Sequence, residues 1–392
     1  MKYNFDTVIN RYNTNSLKYD CAKQWGVPED VLPMWVADMD FQTAPEILEA
    51  MHESINHGIF GYSVPKDEYY EIVADWFRKR LGWTEAKGEW IVKTPGVVFA
   101  IATAIRAFTG KGDAVLIQQP VYYPFRMVIE DNGRICVSNP LVLRDGHYEM
   151  DYADMEHKII DNNVKMFILC SPHNPVGRVW TKEELEKVIA ICKRHNVLII
   201  SDEIHCDFVY PGYEHTMIPV LANDYMERII VCTAPSKSFN LAGLQLSHIF
   251  IPDDKLREAF QKELMRIPYD ESGTLALVAG KAAYEKGAEW MDELKQYLLG
   301  NIEFLREYLK KSLPKVRLIE PEGTYLVWLD FSAYDMTPEE LEHKMQYEAK
   351  VWTDDGVMFG KEGAMFERVN IACPRITLKK ALEQMAAAFA EE

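Results

Sequence analysis

Short apolar runs alternate with helical patterns between about residues 90 and 250 of this 392-residue chain. Six runs have the length of buried strands, at residues 90–92, 114–117, 166–170, 197–200, 229–232 and 248–251. The stretch "TKEELEKVIAICKRHN" predicts a helix between two of them, because Thr181 and Glu184 have the spacing of a capping box. Continuous apolar strands alternating with helices are typical of a parallel sheet covered on both faces. We therefore predict an α/β fold with a mostly parallel sheet flanked by helices.

The pattern changes after residue 285. A long amphipathic helix, "EWMDELKQYLLGNIEFLREYLKKSL", is followed by the strand-like "GTYLVWLDF" and another helical pattern, which predicts a smaller α+β domain. The first 45 residues are irregular and interrupted by proline, which favours an arm packed against that domain. We predict a large domain over residues 46–288 and a small domain formed by residues 1–45 and 289–392.

Composition excludes several classes of partner. The formal net charge of −17 would repel a phosphate backbone, so nucleic acid is not expected to bind. No window approaches the roughly 20 apolar residues that cross a bilayer, and the opening residues lack the apolar stretch of a signal peptide, so we expect a cytosolic protein without membrane contact. The seven cysteines are scattered and never form a CxxC pair, which argues against disulfides and structural zinc.

Polar and aromatic groups follow the predicted strands. In open α/β sheets, ligands bind beyond the carboxyl ends of the strands, so the residues just after each run are the informative ones. The first run leads through Pro95 and Gly96 into a helix whose N-terminus can bind a phosphate. The next four runs are followed by side chains suited to a small-molecule site, namely Tyr122 with Tyr123, Asn174, Asp202 and Lys237.

These groups match the requirements of pyridoxal 5'-phosphate (PLP). A lysine forms a Schiff base with its aldehyde, and a carboxylate keeps its ring nitrogen protonated. An aromatic ring stacks on the cofactor, and an amide NH₂ donates to its phenolate oxygen. Each residue singly has an ordinary explanation as a helix cap, a turn or a solvated lysine. Their occurrence at five strand ends favours PLP binding.

A metal site is the competing interpretation of "SDEIHCD". This stretch places five polar or thiol side chains within six residues, namely Asp202, Glu203, His205, Cys206 and Asp207. Metal sites usually take their ligands from other spacings, and neighbours along a strand end point in opposite directions. We therefore predict that no metal is bound.

Six motifs carry a family resemblance: "PMWVADMDF" at 33–41, "HGIFGYS" at 57–63, "SPHNPVGRVW" at 171–180, "SDEIH" at 201–205, "SKSFNLAG" at 236–243 and "ERVNIACPR" at 367–375. On these motifs the chain resembles the fold-type I PLP enzymes of the class I/II aminotransferase superfamily. Within that superfamily it is similar to the cystathionine β-lyase (MalY/PatB) branch. The likeness extends over essentially the whole length.

The resemblance implies roles around the cofactor. Lys237 would form the Schiff base and act as the catalytic base, Asp202 would pair with the pyridine nitrogen, and Asn174 would bond the phenolate oxygen. Tyr122 would stack on the ring. The remaining cofactor contacts would come from Gly96, Val97, Val98, Ser236 and His205.

The resemblance also implies a substrate side. Arg375 would bind the substrate carboxylate, a task suited to a forked guanidinium, with Trp35, Val36 and Ala37 beside it. Tyr62 would reach the cofactor phosphate of a neighbouring subunit, which implies a homodimer with shared active sites. Without the resemblance, a surface ion pair and a core aromatic are the ordinary explanations for Arg375 and Tyr62.

Two departures from typical aspartate-type transaminases resemble the lyase branch: His205 stands in place of a tyrosine and Gln245 in place of an arginine. Asp355 stands where the branch often has proline. We predict a carbon–sulfur β-lyase that converts cystathionine or cysteine S-conjugates to thiol, pyruvate and ammonia. An aminotransferase remains the alternative, because the same carbanion can be reprotonated on the cofactor. A non-catalytic binding protein is a third possibility.

Overall fold

A central seven-stranded sheet organises the chain in the computed structural model, which describes residues 2–267 and 272–390. The strands are β1 Leu32–Pro33, β2 Ile91–Thr94, β3 Ala114–Ile117, β4 Ile135–Ser138, β5 Val142–Arg144, β6 His147–Glu149, β7 Met166–Cys170, β8 Leu198–Asp202, β9 Ile229–Thr233, β10 Ser247–Phe250, β11 Arg317–Ile319, β12 Leu326–Asp330, β13 Val351–Trp352, β14 Asp354–Asp355 and β15 Phe366–Asn370.

Helices connect and cover these strands. They are α1 Leu17–Asp20, α2 Pro45–His57, α3 Asp67–Arg80, α4 Val97–Phe108, α5 Pro124–Asp131, α6 Tyr152–Asp161, α7 Lys182–Arg194, α8 Ile218–Leu221, α9 Pro235–Ser238, α10 Asp254–Leu264, α11 Thr274–Lys286, α12 Ala288–Ser312, α13 Pro338–His343 and α14 Arg375–Ala388. The capping box predicted for α7 is present, because the hydroxyl of Thr181 accepts from the backbone of Glu184 while the Glu184 carboxylate accepts from the backbone of Thr181.

The large sheet has the strand order β2-β10-β9-β8-β7-β3-β4. Neighbours from β9 to β4 pair in parallel, whereas β10 is antiparallel to both β9 and β2. The carboxyl ends of β2, β3, β7, β8 and β9 therefore lie at one edge of the sheet, together with the residues that precede β10. The mostly parallel α/β sheet agrees with the sequence prediction. The antiparallel direction of β10 was not predicted, because an apolar run in the sequence does not show which way its strand points.

Both faces of the large sheet are buried. Along β8, Ile199 packs on one side and its neighbour Ile200 on the other, because successive side chains of a strand point to opposite faces. One face is covered by α4, α5 and α10, with Ile101, Phe125 and Phe260 completely buried. The other face packs against α7 and other elements in the larger cluster. This two-sided core holds the strand ends at fixed positions.

A four-stranded antiparallel sheet, in the order β11-β12-β15-β14, follows the long helix α12. The N-terminal segment pairs with this part of the chain, since Leu32 and Pro33 in β1 lie beside Val351 and Trp352 in β13. The domain boundaries after residues 45 and 288 stay a prediction. No helix among the described residues is both long and apolar enough to cross a membrane.

Candidate active site

A cavity of about 140 Å³ lies at the sheet edge where the parallel strands end. Its lining includes many of the residues that the sequence predicted: Ala37, Gly96, Val97, Val98, Tyr122, Asn174, Asp202, His205, Ser236 and Lys237. These residues are far apart in sequence. They meet because β2, β7, β8 and β9 end at the same edge, and the N-terminal segment crosses in front of it.

Lys237 lies in the short helix α9, directly after β9. Its Nζ donates a hydrogen bond to the backbone carbonyl of Ala37 at 2.8 Å. Burial lowers the pKa of Lys237 to about 8, while Asp38 opposes and Arg368 reinforces this shift. About a tenth of the amine is therefore uncharged at pH 7, far more than for an exposed lysine, and the uncharged form is what a nucleophile or a base requires.

Asp202 is the last residue of β8 and is almost completely buried. Its Oδ1 accepts one hydrogen bond, from the backbone N–H of Ile204 at 3.2 Å. Burial raises the pKa of Asp202 to about 7, because the charged form is poorly solvated. A buried carboxyl with a single backbone donor is suited to a ligand that brings a positively charged N–H group.

Asn174 and Arg368 form a second polar unit. The guanidinium of Arg368 donates to Oδ1 of Asn174 at 3.0 Å and to the carbonyl of Trp35 at 3.2 Å, and it is paired with Asp354. With Oδ1 occupied, the NH₂ group of Asn174 is the part of the amide that can donate to a ligand. Tyr122 is tied to the same unit, because its backbone N–H donates to the carbonyl of Asn174 at 3.1 Å.

The N-terminus of α4 supplies an anion-binding position. This 12-residue helix begins at Val97 and has no side-chain cap, so its first N–H groups lack partners within the helix. Gly96, Val97 and Val98 line the cavity together with Ser236. Unpaired N–H groups and the positive end of the helix dipole favour a phosphate here.

His205 lines the cavity as a neutral ring. Burial lowers the pKa of His205 to about 3, and the charges of Lys237 and Arg368 act in the same direction. Its Nδ1 has no hydrogen-bond partner among the described residues. Gln245 also lines the cavity, because it precedes the reversed strand β10. Both departures from the transaminase pattern thus lie at the site itself.

Arg375 does not reach the cavity, contrary to the sequence prediction. It starts α14, where its Nε donates to Asn301 at 2.6 Å and its guanidinium lies over the rings of Tyr297 and Phe304. These partners belong to α12 and hold α14 against it. This placement gives no support to the expectation that Arg375 binds the substrate carboxylate.

Arg368, seven residues earlier in the same motif, does not line the cavity itself but contacts Asn174, which does, and the sequence prediction did not include it. Its side chain is buried in β15, and its Nε has no hydrogen-bond partner among the described residues. The sequence held only a weak signal, namely an arginine inside the strand-like "FERVNIAC", whose apolar neighbours favour burial without showing what the arginine faces. A buried arginine is rare unless it is paired or binds a ligand.

Three other predicted residues, Val36, Tyr62 and Trp35, lie outside the cavity. Val36 lines a second, outer cavity of about 670 Å³ that shares Lys237 and Gln245 with the first one. Tyr62 is 94% exposed and lies near Thr274 beside a different surface pocket. Trp35 stacks on Trp352 at 4.1 Å and anchors the segment that crosses the site.

The side chains of "SDEIHCD" are directed to different partners. The carboxylate of Glu203 accepts from Ser201 and interacts with His215, whereas that of Asp207 accepts from Trp76 and Ser238. Within the described residues, no group of three or more histidine, cysteine or acidic side chains could hold a metal ion. The polar groups of this stretch act as structural ties around Asp202.

The family model "Aminotransferase class I and II" matches residues 29–385. The chain belongs to this family. It is 42% identical over 386 residues to cystathionine beta-lyase PatB of Bacillus subtilis, covering 98% of this chain and 100% of that protein. The predicted family and α/β fold class are thereby confirmed.

Solved structures of the family superpose closely on the chain. Cystalysin from Treponema denticola, whose crystal structure contains pyridoxal 5'-phosphate, gives a TM-score of 0.96 at 37% identity and covers 100% of both chains. The PLP-bound C-S lyase from Staphylococcus hominis gives a TM-score of 0.92 at 36% identity, covering 100% of this chain and 99% of the other. The architecture around the cavity is thus shared with PLP-containing proteins.

Proposed function

We propose that the protein is a PLP-dependent carbon–sulfur β-lyase that cleaves cystathionine or cysteine S-conjugates to thiol, pyruvate and ammonia. The observation that carries this proposal is the convergence of Lys237, Asp202, Asn174 and an uncapped helix N-terminus on one cavity. The similarity to proteins named as cystathionine β-lyase and C–S lyase supports the choice of reaction.

The residues of the cavity fit PLP. The N-terminus of α4 and Ser236 would hold its phosphate, and Tyr122 would pack on its ring. Asp202, a buried carboxyl with one backbone donor, would accept the ring N–H group, and the NH₂ of Asn174 would donate to the ring oxygen. When bound, PLP supplies an aldehyde that condenses with amines and a ring that accepts the electron pair left at the substrate's α-carbon.

Lys237 is the proposed base. Its Nζ takes the proton from the α-carbon of the substrate, which its lowered pKa of about 8 makes feasible near neutral pH. The resulting ammonium can return this proton to the leaving sulfur. Lys237 thus accepts and donates the same proton and ends the step uncharged. Asp202 would orient the ring of bound PLP and keep its nitrogen protonated, so that the ring could accept electrons.

Arg368 is the proposed partner of the substrate carboxylate, in place of Arg375. Its guanidinium is buried next to Asn174, and its Nε has no partner among the described residues. A carboxylate that reaches this cation would gain a charge-assisted hydrogen bond in a site with little water. Asp354 neutralises Arg368 before substrate binds, which stabilises the buried charge.

A homodimer is proposed for the assembly. The segment from Ile59 to Val64 exposes several apolar side chains to solvent, with Ile59 70%, Phe60 59%, Tyr62 94% and Val64 80% exposed. Several strongly exposed apolar side chains along one short segment favour an interaction surface. In a dimer Tyr62 would reach the cofactor phosphate of the partner subunit. A cytosolic location and the absence of a nucleic-acid partner stay predictions.

An assay without any keto acid separates the lyase from the aminotransferase. The purified protein is incubated with PLP and L-cystathionine, and thiol and pyruvate are measured separately over many turnovers. Sustained release of both in equal amounts supports the lyase, whereas a strict need for a keto-acid acceptor would establish the aminotransferase instead. Lys237→Ala is the control, since it removes the proposed base.

A further inference from the structure

Two hydrogen-bond donors converge on one carbonyl oxygen in front of the cavity. The backbone oxygen of Ala37 accepts from Nζ of Lys237 at 2.8 Å and from the hydroxyl of Tyr325 at 2.9 Å. A carbonyl oxygen has two lone pairs, so these two donors saturate it. The lysine amine and the tyrosine hydroxyl are thereby coupled through a shared acceptor.

Tyr325 is held rigidly in this role. The side chain is 0% exposed, and its ring packs edge-on against Phe208 at 4.8 Å and against His205 at 5.9 Å. Burial raises the pKa of Tyr325 above its usual value, so the hydroxyl keeps its proton and remains a donor. The hydroxyl hydrogen therefore points at Ala37 over the whole working range of pH.

The acceptor is fixed independently of Tyr325. The side-chain amide of Asn370 donates to the carbonyl of Val36 at 2.6 Å and to that of Asp38 at 2.7 Å, on either side of Ala37. Asn240 holds Met39, the residue after Asp38, because its Nδ2 donates to the Met39 carbonyl at 3.0 Å. Removing the tyrosine hydroxyl would thus leave the carbonyl of Ala37 in place and available to Lys237.

We propose that Tyr325 is a positioning residue for Lys237, which weakens the hold of the Ala37 carbonyl on the protonated amine and so keeps the amine available as a free base. The positive end of the O–H dipole faces the same oxygen that attracts the ammonium. Its effect is therefore larger on the charged amine than on the neutral one. The catalytic meaning of this inference rests on the proposed function, whereas the titration of Lys237 does not.

Other charged groups also face Lys237. Asp38 and Asp202 attract its proton, Arg368 repels it, and His205 is neutral. A variant at position 325 leaves all of these groups in place. The effect of the shared acceptor can therefore be isolated by changing one hydroxyl group.

The test titrates Lys237 in the cofactor-free, full-length protein. Acetylation of Lys237 by acetic anhydride is followed against pH by mass spectrometry of the peptide that contains it. In Tyr325→Phe the midpoint should rise by roughly half a unit to one unit, the range expected for one hydrogen bond. The rate at which added PLP forms its coloured Schiff base at neutral pH should fall by about 3-fold to 10-fold.

Tyr210→Phe is the matched control. Tyr210 is also buried, and its hydroxyl donates to the backbone carbonyl of Thr324 at 2.6 Å, which does not contact Lys237. This variant loses a comparable hydrogen bond, so its titration midpoint should stay at the wild-type value. If both variants shift the midpoint equally, or if Tyr325→Phe leaves it unchanged, the proposal is overturned.

A second variant keeps the shape of the side chain. Incorporation of 3-fluorotyrosine at position 325 strengthens the O–H donor, so the Lys237 midpoint should fall below the wild-type value. The fluorotyrosine experiment still tests the proposal if Tyr325→Phe does not fold. An unchanged Lys237 titration midpoint in it would contradict the proposal. A shifted midpoint in a protein that releases no thiol from cystathionine would reject the lyase while retaining the role of Tyr325.

Discussion

The buried carboxyl of Asp202 links the chemistry of the site to the stability of the fold. Its pKa is about 7 in the folded protein, against a usual value near 3.8. Between these values the folded state holds a proton that the unfolded state has released. The cofactor-free protein should therefore lose stability as pH rises towards about 7, and lose no more from this group above it.

Asp202→Asn should remove this part of the pH dependence. In cofactor-free protein, the Tm of the wild type relative to that of the variant should fall by a few degrees between mildly acidic and mildly alkaline pH. Calorimetric scans of both proteins across that range measure the difference. Parallel curves for the two proteins would show that Asp202 is not desolvated as described.

Arg368 and Arg375 provide a matched pair, because both lie in the motif "ERVNIACPR" and only Arg368 lies beside Asn174. Arg368→Lys should lower kcat/KM for cystathionine by about 10-fold to 100-fold, since a lysine keeps the charge that Asp354 needs but loses the forked geometry. Arg375→Lys should leave kcat/KM within about 3-fold of wild type. Steady-state kinetics of both variants measure the effect. A larger loss of kcat/KM in Arg375→Lys than in Arg368→Lys would assign the substrate carboxylate to Arg375 instead.

Sequence reasoning identified many of the residues that line the cavity and yet singled out an arginine that contacts α12 instead, for a physical reason. Lys237, Asp202 and Asn174 directly follow apolar strands, and the common direction of parallel strands brings such residues to one edge. No comparable rule applied to "ERVNIACPR". Which arginine faces the site depends on the register of β15 against β12 and on where α14 starts, and both are set by tertiary packing.

The short helix α9, which carries Lys237, is tied to the end of β8 by a buried carboxylate. Asp207 accepts from the hydroxyl of Ser238 and from Nε1 of Trp76, the latter at 2.9 Å. Ser238 directly follows Lys237 in the chain. The position of the lysine therefore depends on this tie as well as on its own contact with Ala37.

Ser238→Ala should destabilise the protein by about 1–3 kcal/mol, because a buried carboxylate loses one of its two donors. It should also slow the recombination of the cofactor-free protein with PLP. Thr181→Ala is a control outside the cavity lining, where loss of the cap of α7 should cost about 1 kcal/mol and leave recombination unchanged. Urea unfolding measures the free energy of unfolding, and the absorbance of bound PLP follows the rate of recombination. Equal recombination rates in both variants would argue against a positioning effect of α9.

The element patterns were predictable where they are local. The capping box of α7 and the long helix α12 follow from side-chain periodicity within a few turns. The direction of β10 was not predictable, because an apolar strand reads the same in both directions and its partners lie elsewhere in the chain. That reversal is what brings Gln245 to the cavity.

At the scale of the whole molecule, the exposed segment around Tyr62 bears on assembly. If Tyr62 contacts the phosphate in the partner subunit, Tyr62→Phe should weaken PLP binding by about 10-fold, because one hydrogen bond to a charged group is lost, while the protein remains a dimer. Light scattering reports the assembly, and fluorescence titration reports the affinity. A monomeric wild type, or unchanged affinity in Tyr62→Phe, would contradict the shared site.

The pairing of β1 with β13 has a consequence for biosynthesis. Leu32 and Pro33 leave the ribosome long before Val351 and Trp352, the strand that receives them. Until then, the segment that carries the Ala37 carbonyl lacks its contacts with β13 and with Asn370, although Asn240 can already hold it at Met39. A nascent chain that has already built the large sheet would therefore hold a cavity that is open on the side that this segment covers in the complete chain.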